Sequence, residues 1–418
     1  VQTAIWFRHA QWLLSQCGAR FGETFTLRIL HEGEWVMVSN PEHVKQVFTG
    51  DASVFHAGEG NRILLPVLGE NSVLLLDEAP HLEQRKLLLP SFHGKRMQRY
   101  EALMRTVAAK EIERWPHHEP HRLRPRMQAL TLEIILRTVF GLDQGERLER
   151  LRTELRRLLD HLSNPRMFAF PLLLGPERVA SSRPFRGLMS EVDRLIYEQI
   201  EERRRGAEGE RRDDILSLLL QARHESDGSP MRDQELRDEL LTLLVAGHET
   251  TANALAWAVE RLIRHPRKLA RLAEEIAAGE MRYLDAVVTE TLRLRPVISI
   301  VARRLVEPVQ IGEWRLPAGV TVTPAIFLVH RRPEVYPDPE AFRPERFLEH
   351  PPGTYTWIPF GGGVRRCLGA SFAQFEMGIV LSELVKRTRP RPARPEAEPV
   401  LRRTITETPR RDAEVVLQ

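Results

Sequence analysis

Between about Arg232 and Arg264, apolar residues recur at helical spacing for some 33 residues, which at about 1.5 Å per residue makes a rod of about 50 Å. A helix of that length crosses an entire domain, and its pattern stops where His265 precedes Pro266. Its middle reads AGHETTA, from Ala246 to Ala252, where a glycine and two threonines interrupt strong helix formers. Threonine hydroxyls bond carbonyls of the preceding turn and open a local groove, and Glu249 and Thr250 form an acid–alcohol pair beside it. HETTA also begins like the H-E-x-x-H zinc motif, but Ala252 occupies the fifth position and the zinc reading fails. The plain alternative is a structural helix that happens to carry two threonines.

Phe360 to Gly369 reads FGGGVRRCLG and is followed by the helix-like SFAQFEMGIVLSELVK. Cys367 is one of 2 cysteines in 418 residues, so neither an all-cysteine zinc cluster nor an iron–sulfur centre assembles within one chain. A single thiolate ligand points to haem. The glycines let the backbone approach a flat macrocycle, and amides at the start of the following helix face the sulfur and favour its charged form. In this reading Phe360 packs near the thiolate and excludes water, and Arg365 has the reach for a carboxylate such as a haem propionate. The competing reading is a buried free cysteine beside a glycine turn.

Length allows two or three ordinary domains, but no linker-like tract and no fixed-period repeat divides the chain, so one domain over residues 1–418 is expected. With 42% hydrophobic and 28% charged residues, the chain has the balance of an ordinary soluble globular protein. No apolar run approaches the roughly 18 residues that cross a bilayer. The sequence starts without an initiator Met or a signal-like apolar core, which leaves a trimmed leader open. Two cysteines make no disulfide framework; Cys17 reads as a small core residue, and a reducing cytoplasm fits. The formal charge of +4 is small, and the arginine-rich patches at 203–214 and 387–395 lack interleaved aromatics, so they read as solvated surface.

The segments TFTLRIL and EWVMVSN predict a hairpin, with a helix beginning near Pro41. From Pro80 to about Arg264 the pattern is nearly all helical, and strand-like pieces PVQIG, EWRLPAG and VTVTPAI follow, punctuated by Pro and Gly. RRPEVYPDPEAFRPERF holds too much proline for helix or strand and reads as a packed meander, while VLRRTIT and AEVVL suggest a terminal hairpin. His81 and Arg85 lie one turn apart on a helix opening after Pro80 and project from one face. Glu290 and Arg293 share an i, i+3 spacing that recurs at Glu149/Arg152 and Glu201/Arg204, and as a surface pair it contributes only about 0.2–0.5 kcal/mol.

The decapeptide resembles the cysteine loop of the cytochrome P-450 family. Phe360, Gly363, Arg365, Cys367 and Gly369 meet its five fixed positions, a coincidence with odds of about one in ten thousand or less in a chain this long. His81/Arg85, AGHET, Glu290/Arg293, PERF (Pro344 to Phe347) and Cys367 follow in the family's order, across nearly the whole chain. The resemblance implies a mostly α fold with small β-sheets, the cytochrome P-450 fold, with haem b (iron protoporphyrin IX) between the long central helix and the cysteine-loop helix. It implies that Cys367 ligates the iron and that Ala246, Phe360 and Gly369 lie against the cofactor. His81, Arg85, Arg303 and Arg365 would surround the propionates, with Arg304 as the alternative to Arg303. Glu249 would feed a proton relay, Thr250 would hold bound oxygen, and Arg346 would join Glu290 and Arg293 in a buried network that locks the meander and the cysteine loop.

The implied activity is monooxygenation, by hydroxylation or epoxidation, of a hydrophobic small molecule such as a lipid, terpenoid, steroid or polyketide-like compound. Electrons would come from a separate ferredoxin or flavodoxin with its reductase, since no flavin or iron–sulfur module fits the remaining length. A cytoplasmic monomer is expected, with no nucleic acid and no integral membrane anchor. Lys95, Arg96, Arg99 and Arg366 offer an acidic partner a docking face. Substrate contacts are expected from 55–76, 167–176, the helix before Ala246, and 297–301. Two rival readings stay open: a peroxide-dependent haem-thiolate peroxygenase or isomerase, which has no need of Glu249 and Thr250, and a non-catalytic haem-binding sensor.

Overall fold

The computed structural model describes residues 2–92, 95–141, 145–162, 174–206 and 214–418, without the side chains of Lys95 and Arg147. The long apolar pattern folds as one helix, Asp233–Ile263, of 31 residues. Asp233 and Glu235 put acids in its first turn, where they complement the helix dipole, and Glu235 accepts a hydrogen bond from the Arg232 amide at 2.8 Å. At the far end His265 leaves helical geometry and Pro266 opens the next helix, Pro266–Ala277. The central helix is buried on nearly all faces. Beyond its exposed first residues, Asp233 and Gln234, the exception is its middle, where Val245, Gly247, Glu249 and Thr250 are half-buried and Ala246 is exposed.

Helices Leu123–Phe140, Arg183–Arg205, Arg282–Leu294 and Ala370–Arg387 pack directly against it. One continuous apolar core joins them, running from Leu130 and Ile134 through Leu240 and Leu255 to Val380 and Leu384. The helical body foreseen between Pro80 and Arg264 is interrupted by a short strand, Pro120–Arg122. The helix carrying His81 begins at Glu78, ahead of Pro80, and ends at Leu88. Pro80 is its third residue, still within the turn whose amides lack helical partners, so its missing N–H does no harm.

The predicted hairpin forms from Thr24–Ile29 and Gly33–Val38. It is the edge of a five-stranded sheet, in which Gly33–Val38 runs parallel to Thr321–Pro324, followed by Arg303–Leu305 and Phe55–His56 in antiparallel pairings. Pro41–Thr49 follows the hairpin as a helix, with the Asn40 side chain accepting from the Glu42 amide at 2.9 Å. The terminal hairpin differs from expectation. Val400–Arg403 pairs with Thr406–Pro409, whereas Glu414–Val416, within AEVVL, joins Pro120–Arg122 and Arg391–Pro392 in a separate sheet. Cys17 is half-buried against the core that Trp6, Leu14 and Met37 form under the N-terminal helix. Among the described residues, no helix is long and apolar enough to cross a membrane.

Candidate active site

Cys367 follows the single turn Gly363–Arg365 and stands two residues before Gly369, which precedes the helix Ala370–Arg387. Its amide donates to the Phe360 carbonyl at 2.9 Å and closes the loop. Burial pushes the thiol pKa up, and the Gly369 amide, Arg366 and Arg85 draw it back toward the thiolate. Cys367 nevertheless keeps an exposed surface. A side chain crowded by its surroundings yet not sealed from solvent borders a hollow and is not the fully buried cysteine of the competing reading. Phe360 meets Trp357 edge-on with ring centroids 6.0 Å apart, and Trp357 Nε1 donates to the Thr289 carbonyl at 3.1 Å.

The loop's glycines answer to the protein itself. A Cβ on Gly362 would fall 2.2 Å from the Phe48 ring, and one on Gly363, whose φ is +64°, would fall 1.9 Å from the Phe48 carbonyl oxygen. These two glycines therefore let the loop lie on the helix Pro41–Thr49, a neighbour that sequence patterning did not reveal. Gly369 has open space at its Cβ position.

Beside the loop, His81, Arg85, Arg303 and Arg365 form one electrostatic cluster. His81 Nδ1 is buried without a hydrogen-bond partner. Its pKa is lowered to about 3, first by burial and then by Arg365, Arg85 and Arg303. Burial also lowers Arg303 and Arg365 to about 10, against the opposing charge of Asp77. Asp77 accepts from Arg365 and from the Gly58 and Glu59 amides at 2.8 and 3.0 Å, tying the 57–60 turn to the cluster. One carboxylate facing three guanidinium groups leaves excess positive charge. Strand alternation separates Arg303 from Arg304: Arg303 is 6% exposed and turns into the cluster, while Arg304 Nη1 donates to the Glu32 carbonyl at 3.3 Å.

On the central helix, Ala246 and Thr250 lie one turn apart on the same face, and Thr250 Oγ1 donates to the Ala246 carbonyl at 2.6 Å. Thr251 makes the equivalent bond to Gly247 at 3.0 Å, so both hydroxyls behave as expected while the helix stays unbroken through them. Gly247 owes its place to packing as well, since a Cβ there would sit 3.2 Å from Ile135 Cδ1. Burial raises the Glu249 pKa, opposed by Arg124, Arg403 and a 3.5 Å hydrogen bond from Thr406 Oγ1. None of these three neighbours carries a motif that would flag it in the sequence.

Glu290, Arg293 and Arg346 meet as the resemblance implied. Arg293 Nε and Nη2 grip the two Glu290 oxygens at 2.7 and 2.9 Å, and Arg346 Nε reaches Glu290 Oε1 at 3.3 Å. Arg293 also donates to the carbonyls of His330 and Pro339, each at 2.8 Å. His330 was not anticipated. It is fully buried, its Nδ1 lies 3.1 Å from the Arg293 carbonyl, and its Nε2 accepts from the Ile358 amide at 2.8 Å. That pattern fixes a neutral ring with the proton on Nδ1, and it connects the Glu290 network to the irregular segment leading into Phe360.

The anticipated substrate-facing segments divide. Phe55 packs into the sheet-side core with Phe48 and Leu305, and Ser299 is spent on Glu407 Oε1 at 3.0 Å. Leu74, Leu75, Leu76, Ile298 and Val301 stay half-buried, whereas most of the 167–176 stretch lies outside the described residues. Of the basic docking residues, Arg366 is exposed and Arg96 donates to the Pro90 carbonyl at 2.9 Å.

A mostly helical body with small sheets, carrying one thiol in a hollow beside a cationic cluster, defines a protein that holds an anionic, metal-centred cofactor through cysteine. The cytochrome P450 family model matches residues 1–410, and the chain belongs to that family. It is 44% identical over 396 residues to a putative cytochrome P450 135B1 of Mycobacterium tuberculosis, covering 93% of this chain and 83% of the relative. A putative cytochrome P450 135A1 from the same species is 38% identical over 419 residues, covering 100% and 93%. A retinoic acid-bound cyanobacterial CYP120A1 shares the fold, with a TM-score of 0.83 at 24% identity, covering 99% of this chain and 97% of that one. Family membership makes haem b the cofactor and monooxygenation the activity, with a redox partner and an apolar substrate in general terms. The residues present fit that cofactor: a lone thiol faces the hollow, the orphaned His81 Nδ1 awaits a partner, and the surplus guanidinium charge suits two propionates.

Proposed function

We propose that residues 1–418 act as one catalytic unit that hydroxylates or epoxidises an apolar small molecule, using dioxygen and electrons from a separate ferredoxin or flavodoxin with its reductase. The haem supplies the oxidising chemistry once ligated by thiolate. Cys367 is the proposed ligand, and the Gly369 amide with the charges of Arg366 and Arg85 stabilises its anionic form. His81, Arg85, Arg303 and Arg365 hold the propionates, and Phe360 with Trp357 shields the sulfur side from water. Gly369, open at its Cβ position, and Ala246, exposed on the central helix, leave room for the macrocycle.

The observation that carries this reading over peroxide-driven chemistry is the turn Ala246–Thr250. Burial raises the Glu249 pKa, which favours its part as a proton donor, and Thr250 is bonded into the same turn. Proton delivery is needed when dioxygen is the oxidant, and a peroxide user has no such requirement. Half-buried Leu74, Ile298 and Val301 support an apolar substrate, and the retinoic acid bound by the cyanobacterial relative is of that type. An exposed Arg366 beside the cysteine loop favours an acidic electron donor, and a cytoplasmic monomer is the form in which such a donor reaches it. Compounds that shift the haem spin state are to be incubated with NADPH, a surrogate ferredoxin and its reductase. Product gaining one oxygen atom from labelled dioxygen is expected; product made only when peroxide replaces the electron supply overturns the proposal.

A further inference from the structure

His56, at the end of the strand Phe55–His56, sits among three carboxylates. Its Nδ1 lies 3.1 Å from Glu59 Oε1 and its Nε2 3.0 Å from Glu78 Oε1, with Asp77 Oδ2 3.8 Å from Nδ1. A neutral imidazole has one N–H, so only the doubly protonated ring donates to both glutamates at once. The His56 side chain is 12% exposed, so solvent screens these contacts less than it would an open surface pair. Burial lowers the His56 pKa, but the Glu59 bond and the charges of Asp77, Glu59 and Glu78 outweigh it and raise the value overall. The neighbouring cations are engaged elsewhere. Arg365 donates to Asp77, Arg303 turns into the cationic cluster, and Arg62 pairs with Glu177. Arg304, opposite His56 in the sheet, reaches the Glu32 carbonyl at 3.3 Å and Thr321 Oγ1 at 3.5 Å.

The two glutamates stand at opposite ends of the loop that leads from His56 to the helix Glu78–Leu88. Glu59 lies in the turn Ala57–Gly60, whereas Glu78 opens the helix with a φ of +50°. That backbone conformation is strained for any residue with a side chain and persists only where its surroundings hold it. The 57–60 turn backs directly onto Leu74–Leu76: a Cβ on Gly58 would fall 2.2 Å from the Leu75 carbonyl oxygen, and Asn61 Nδ2 donates to the Leu74 carbonyl at 3.1 Å. The middle of the loop is fixed separately, by the Asn71 amide on Asp238 at 3.1 Å and the Val73 amide on Glu239 at 2.8 Å. Asp77 holds the turn through two backbone amides, and His56 holds it through the Glu59 side chain.

We propose that His56 is a positioning residue: as an imidazolium it clasps Glu59 to Glu78 and keeps the 57–60 turn against Leu74–Leu76, and on losing its proton it lets that apolar wall loosen. The neutral ring donates to one glutamate only, so the other is released. Because the folded-state pKa is raised, the clasp is fully present below about pH 6.5 and is lost as pH rises through the raised value. The clasp needs nothing from the haem assignment; its effect on affinity rests on the reading of Leu74–Leu76 as part of the substrate wall.

The test uses the haem-loaded protein between about pH 6 and 9. Ring-nitrogen NMR of labelled histidine follows protonation, with the His56 signals assigned by their loss in His56→Gln. Hydrogen exchange of peptides within 57–76, and affinity for Nile red, an apolar dye that does not titrate in this range, follow the wall. Two protonated ring nitrogens are expected at the acid end. As one proton leaves, exchange should rise about tenfold beyond its intrinsic pH trend and dye affinity should fall about threefold or more. Glu59→Gln keeps the ring and should move all three transitions to lower pH, whereas His56→Gln should show the loosened segment and weak dye binding throughout. A neutral His56 ring at the acid end, or exchange that follows the intrinsic trend alone, overturns the clasp. Dye affinity that stays constant while the ring titrates overturns the positioning role. None of these readouts requires turnover, so their failure is distinguishable from failure of the monooxygenase reading.

Discussion

Thr250 shows what a single side chain can decide. Its hydroxyl is bonded to Ala246, and its neighbour Glu249 is held toward the protonated form. Replacing it with alanine leaves the helix continuous but removes the hydroxyl one turn after Ala246 on the face they share. Thr250→Ala is therefore expected to keep oxygen and NADPH consumption while product per NADPH falls about tenfold or more; fully coupled turnover would deny Thr250 its role. Arg303 supports a second test. Arg303→Leu should weaken haem retention about tenfold or more in a transfer assay to apomyoglobin, while Arg304→Leu, altered on the opposite strand face, should leave it unchanged. The motif residues were legible because their chemistry requires particular side chains at fixed spacing. Asp77, Phe48 and Thr406 were not, because each acts through long-range contact and carries no local pattern.

At the scale of elements, the helix Arg282–Leu294 is joined to the meander by a buried ionic network, and through His330 to the segment ahead of the cysteine loop. Glu290 and Arg293 are both 0% exposed, so removing one partner leaves the other charge in the interior. Arg293→Ala is expected to cost about 3–5 kcal/mol, read as a fall in the denaturant midpoint and failure to retain haem. Arg293→Lys should not rescue it, because an ammonium cannot grip both Glu290 oxygens and also reach the His330 and Pro339 carbonyls. A stability equal to wild type in either variant would contradict the network's structural role. The Glu290–Arg293 spacing alone proved nothing, since Glu149 and Arg152 share it and pair at the surface, where Glu149 is 65% exposed. Long helices were readable from apolar period. Strand pairing was not: AEVVL reads as the second arm of a hairpin, yet Glu414–Val416 pairs with residues almost 300 positions earlier. Local alternation marks a strand without naming its partner.

Across the whole molecule, burial holds several histidines neutral. His330 is pushed well below the ordinary imidazole range and His248 to about 3. Their folded pKa values lie below the unfolded value, so the stability they contribute is present above about pH 6.5 and is lost as pH falls toward the folded values. Each adds a slope of up to about 1.4 kcal/mol per pH unit in that window. Chemical denaturation followed from pH 7 to pH 4 should show stability declining on the acid side, with a shallower decline in His248→Gln; an unchanged slope would remove His248 from the account.

The central claim is that a porphyrin iron is held by the sulfur of Cys367, in a hollow flanked by Arg85, Arg303 and Arg365. The most direct measurement is the ferrous carbonyl absorption spectrum of the haem-loaded protein beside that of Cys367→Ser. The red-shifted band of a thiolate-ligated haem should appear in the wild type and vanish in the variant. Its absence from the wild type, or its persistence in the variant, would contradict the assignment.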